Sequence, residues 1–167
     1  MLFRSVLATQ TIVQSKPKTM RVRFAGGLAP QVGAKDMILA LIGRLGTAGG
    51  AGYAVEYAGE AVRALEIEGR LTLCNLSIEF GAKIGMVAPD EKSYAYLEGR
   101  RHAPKGALWR QALEHWRTLP SEEGARFDAE RELDCAALAP QITWGTSPED
   151  VIAVDGVIPD RSEEHTS

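Results

Sequence analysis

Two periodicities alternate between Met20 and Ala58, and this alternation constrains the fold more than any other feature of the chain. Met20 to Phe24 (MRVRF) switches between apolar and basic residues, the period of a half-buried strand. A turn at Gly26, Gly27 and Pro30 follows. AKDMILALIGRLG, from Ala34, then sets Met37, Ile38, Leu41, Ile42 and Leu45 on one helical stripe and stops at Gly46, a residue suited to a C-terminal cap. After the glycine-rich GTAGGAG (46–52), Tyr53 to Ala58 (YAVEYA) returns to strand character. A chain that alternates in this way packs helices on a sheet, so a layered α/β architecture is expected.

The remaining segments fit that scheme. Val6 to Gln14 is compatible with the end of a helix, which Lys16-Pro17 would stop. Ile67 to Phe80 is expected to be helical, MVAP a short buried strand and Asp90 to Leu97 a helix. Leu108 to Leu119 is expected to be an amphipathic helix whose Trp109, Leu113 and Trp116 join the core, and Phe127 to Val154 to hold short strands and proline turns. The 167 residues suit one domain. Met1 to Ser5 and Arg161 to Ser167 match no helix, strand or cap pattern, and both correspond to translated oligonucleotides resembling short-read sequencing adapters. They are read as artefactual ends (1–5 and 161–167) around a natural segment, 6–160, that is internal to a longer protein.

Composition removes several function classes. Nineteen Lys and Arg against 22 Asp and Glu leave a net charge of -3, with no positive field to hold a phosphate backbone, so no nucleic-acid partner is expected. No apolar run reaches the roughly 18 to 20 residues of a membrane span and no signal peptide is evident; the reading is cytoplasmic, with no membrane partner. Cys74 and Cys135 read as two buried thiols rather than a disulfide, and neither C-x-x-C nor His-rich spacing offers a zinc or iron–sulfur site. His102 and His115 read as surface or packing residues. GTAGGAG has the wrong order for a dinucleotide fingerprint, because it follows a helix and precedes a strand, so tight backbone packing is favoured over phosphate cradling.

The chemical signal lies in IEGRLTLCNLSIEF (67–80). Placed on a wheel at about 100° per residue, Glu68, Thr72, Asn75 and Glu79 form a stripe between two apolar sectors, with Arg70 and Ser77 left for a solvated face. A carboxylate inside an apolar arc is costly, so Glu79 is expected either to pair with a buried cation or to look into a cleft where chemistry happens. Asn75 lies one turn before it, where its amide could orient the same ligand.

EGRLTLCNLSIEFGAKIGMVAPDE closely resembles the large subunits of 3-isopropylmalate dehydratases, members of the aconitase superfamily, whose hallmark is E-G-R-x-T-x-C-N-x-x-x-E-x-G-A. VLATQT, AKDMILALIG, GGAGYAVEYAGEAVR, APKG and PQITWGTSPEDV extend the likeness over nearly all of 6–160. The resemblance implies part of an aconitase-like α/β/α domain. It also implies a hydro-lyase of leucine biosynthesis that isomerises 2-isopropylmalate to 3-isopropylmalate at a [4Fe-4S] cluster and pairs with a small subunit as a heterodimer. Asn75 and Glu79 would be its catalytic residues, facing substrate and cluster. The family's cysteine ligands are not in this chain, so it is expected to be inactive alone. Homoaconitase or another hydro-lyase of the superfamily, and a noncatalytic α/β binding module, are the alternatives.

Overall fold

The computed structural model describes residues 2–158; Asp160 and the Arg161–Ser167 segment lie outside them. Four strands form a parallel sheet: β1 (Lys18–Ala25), β2 (Tyr53–Ala58), β3 (Ile84–Val87) and β4 (Ala129–Asp134), in spatial order β3-β2-β1-β4. Helices occupy the crossovers, as parallel strands require. They are α2 (Ala34–Leu45) between β1 and β2, α3 (Glu60–Ala64) and α4 (Ile67–Asn75) before β3, and α5 (Glu91–Leu97) and α6 (Ala107–Trp116) before β4. The expected α/β architecture is therefore present.

MRVRF behaves as its alternation demands: Met20, Val22 and Phe24 are buried, and Arg21 and Arg23 lie on the other face, paired with Glu130 and Glu132 of β4. The inward set continues through Val55 and Tyr57 of β2 and Leu133 of β4, and α2 covers it with Met37, Ile38, Leu41 and Ile42. A two-stranded antiparallel hairpin, β5 (Gln141–Thr143) with β6 (Val151–Ala153), clasps α2 at both ends. Asp36 accepts from the Gln141 backbone at 2.7 Å, and Glu149 accepts from the Thr47 backbone and hydroxyl at 3.0 and 3.1 Å.

Four local expectations are corrected. The first helix, α1 (Leu2–Thr9), runs through residues 2–5, where no helical pattern was read, and ends well before Gln14. Gln10 has φ 52° and the following T-I-V is rich in β-branched residues, which resist helix continuation. The strand in MVAP is found as β3 but is not buried: it is an edge, with Ile84 45% and Met86 49% exposed. The aromatic side of α6 does not enter the core, since α6 has no buried residue; Trp109 meets Trp116 edge-on at 5.5 Å, and Trp116 stacks on Tyr94 at 6.2 Å. The helix expected over 67–80 stops at Asn75 and gives way to a tight turn.

Candidate active site

The buried side of α4 and its turn is the stripe Arg70, Leu73, Ser77 and Phe80, spaced three, four and three residues apart as one helical face requires. This inverts the expectation from the wheel. Arg70 and Ser77, assigned to solvent, are 4% and 2% exposed, whereas Leu71 and Ile78, assigned to apolar sectors, are 50% and 76% exposed. Asn75 and Glu79 share the outer face with Glu68, Leu71 and Ile78. Glu79 is thus neither buried nor paired with a cation: its side chain makes no ion pair or hydrogen bond among the described residues, and neither does that of Asn75.

Specific partners explain the inversion. The Arg70 guanidinium grips Asp90 with two hydrogen bonds of 2.7 Å and donates to the carbonyls of Leu65 and Arg63, each at 3.2 Å. A fork of this kind is the geometry in which a buried arginine is tolerated. Asp90 also caps α5, accepting from the Lys92 and Ser93 backbones, and the Arg70 hydrogen bonds are the main reason its carboxyl titrates below the usual carboxylate range. Ser77 donates to the Leu73 carbonyl at 2.9 Å and lies 2.8 Å from the Tyr57 hydroxyl. Burial pushes that phenol up to about 12, so it remains protonated.

The glycine-rich loop serves this turn. A Cβ on Gly49 would overlap the Phe80 ring and one on Gly50 would come within 2.7 Å of it, while the Gly50 backbone donates to the Phe80 carbonyl at 2.8 Å. Tight packing of backbone on an aromatic ring therefore accounts for GTAGGAG. Gly81, at φ +84°, closes the turn: its N–H bonds to the Ile78 carbonyl and that of Ala82 to the Ser77 carbonyl, the two hydrogen bonds of a glycine-terminated helix end.

Both cysteines are free thiols, Cys135 buried and Cys74 half-buried. Desolvation raises both, Cys135 to about 11, which opposes the thiolate that metal ligation needs. No three His, Cys, Asp or Glu side chains among the described residues are grouped to hold a metal ion. These residues do not fit as the seat of an iron–sulfur cluster. His102 and His115 are both exposed. A pocket of about 270 Å³ opens at the carboxyl ends of β2 and β3, bordered by Gly59, Arg63, Arg70, Val87 and Asp90, and none of the site residues expected from the sequence lines it. The buried Arg70 was the residue the sequence reading missed, and the aspartate that stabilises it, in APDE, is too remote for a helical wheel to connect.

A four-stranded parallel sheet wrapped by crossover helices, with Asn75 exposed at the end of the E-G-R helix and Glu79 exposed in the turn after it, defines a layered α/β scaffold. The chain belongs to the aconitase family: the match to that family, described as aconitate hydratase, covers residues 3–167. Among curated proteins, it is 59% identical over 155 residues to 3-isopropylmalate dehydratase large subunit 1 of Bradyrhizobium diazoefficiens. That alignment takes in 93% of this chain and 32% of the relative, so the chain spans about a third of the relative's length. No helix among the described residues is long and apolar enough to cross a membrane.

Proposed function

We propose that this chain is a section of the large subunit of a hydro-lyase that isomerises 2-isopropylmalate to 3-isopropylmalate, a step of leucine biosynthesis in the cytoplasm. In the assembled enzyme it works with a small subunit and a [4Fe-4S] cluster, a Lewis acid for hydroxyl and carboxylate oxygens when bound, whose ligands come from outside this chain.

The observation that carries the reading is the division of polar groups along one helix. Arg70, Thr72 and Ser77 each hydrogen-bond within the domain, whereas Asn75 and Glu79 are exposed and unengaged, with Leu71 and Ile78 uncovered beside them. Dehydration followed by rehydration at the neighbouring carbon requires a group that gives a proton to the departing hydroxyl and takes one from the returning water. A carboxylate that is free of internal partners suits that work. The Asn75 amide offers both a donor and an acceptor for orienting the substrate's hydroxyl and carboxylate groups.

The test is an assay of the full-length large subunit, assembled with its small subunit, on 2-isopropylmalate and on homocitrate. Interconversion of the isopropylmalates is the expected result. Turnover of homocitrate alone would move the chain to the homoaconitase branch, and binding without turnover of either would point to a noncatalytic module.

A further inference from the structure

Glu79 does not sit on the regular helix that carries Asn75. It sits two residues past Ser77 in the turn after Asn75, so whether the two side chains share one face depends on what shapes that turn. Ser77 is the pivot. Its backbone N–H reaches the Cys74 carbonyl, three residues back, at 3.3 Å rather than continuing the α-helical pattern. Its hydroxyl donates to the Leu73 carbonyl at 2.9 Å, a back-bond of the kind that bends helices. With the Ser77 proton used in this way, the protonated Tyr57 phenol must be the donor across the 2.8 Å contact, which gives a directed chain Tyr57 O–H to Ser77 O–H to Leu73 C=O.

The enclosure leaves Ser77 little freedom. Tyr57, on β2, is 1% exposed, Ser77 is 2% exposed, and a Cβ on Gly85 of β3 would overlap the serine oxygen. The relay therefore ties the turn to β2 and Gly85 packs β3 against the same serine, while Phe80, fixed against Gly49 and Gly50, holds the far side of the turn.

We propose that Tyr57 and Ser77 are positioning residues: their buried hydroxyl relay sets the turn so that Glu79 stands on the same face as Asn75. The proposal rests on the reading of Glu79 as the proton-transfer group. Misplacing a reacting group by about 1 Å can cost as much as 10²-fold in rate, so loss of the relay shows in turnover even when the domain stays folded.

The test is a double-mutant cycle on the full-length enzyme assembled with its small subunit, using Tyr57→Phe, Glu79→Gln and the pair. Tyr57→Phe keeps the ring and leaves the Ser77 to Leu73 bond in place, which makes it safer for folding than Ser77→Ala. It is expected to lower kcat by about 10-fold, within the range open to a positioning effect, with KM nearly unchanged. In the Glu79→Gln background the same substitution is expected to cost almost nothing further, because there is no carboxylate left to place. If Tyr57→Phe lowers only the melting temperature, or its effect on kcat is undiminished in the Glu79→Gln background, the pair is structural and the proposal is overturned. If Glu79→Gln itself leaves kcat unchanged, the reading of Glu79 fails first and positioning falls with it.

Discussion

The two ends of α4 treat polar side chains in opposite ways. Near its start, Arg70 is buried and satisfied, with Asp90, the carbonyls of Leu65 and Arg63, and Ser93 at 3.5 Å all around its guanidinium. Lys92 reinforces the same corner, donating to the Ala64 carbonyl and to Glu66, each at 2.7 Å. At its end, the side chains of Asn75 and Glu79 are exposed and bonded to nothing among the described residues, with Leu71 and Ile78 at least half exposed beside them. Polar groups at the first end are used to hold the chain together. Those at the second have no side-chain partners among the described residues, and the contrast lies within three turns of one helix and its closing loop.

The contrast can be broken at the first end. Arg70→Met removes the fork and leaves Asp90 without its guanidinium. Losing one partner of a buried pair typically costs about 3 to 5 kcal/mol, and since Asp90 keeps partial access to water the low end, about 3 kcal/mol, is expected. Urea denaturation of the chain at neutral pH measures this, and a loss below about 1 kcal/mol would place Arg70 with ordinary surface pairs.

A smaller effect sharpens the same point. The Asp90 carboxyl is held below its unfolded value, so it contributes stability that is present above the ordinary carboxylate pKa of about 4 and is lost as pH falls through the depressed folded value. The denaturation midpoint should therefore fall with acidification below about pH 4, and should fall less steeply in Asp90→Asn. An identical acid limb in both proteins would mean that other carboxylates carry the dependence.

Much of the scaffold was legible because its signals are local. Tyr53–Ala58 is a strand over the residues read as one after the glycine-rich loop, and Ala34–Leu45 is the helix that its apolar stripe and Gly46 marked. Asp90 is the cap of α5, one residue outside the helix expected from it. The five residues of α3 were missed, since a helix so short shows no full period. The facing of α4 was not legible in a wheel. Its two sides barely differ in hydrophobicity, and the choice between them depends on Asp90, at the cap of α5, and Tyr57, on β2, which other elements bring to the helix. Asn75 and Glu79 were singled out as a polar pair one turn apart, a placement that survives the inversion, but the premise that Glu79 lies in an apolar interior does not.

The most direct measurement concerns Glu79 itself. Glu79→Gln in the full-length enzyme, assembled with its small subunit, keeps the size of the side chain and removes the charge. Turnover is expected to fall by about 10² to 10⁴, the usual worth of a positioned acid–base group, while the melting temperature stays within about 2 °C because no internal partner is lost. Near-normal turnover per folded molecule, or a loss of melting temperature large enough to account for the lost activity, would contradict the assignment of this end of the helix to chemistry.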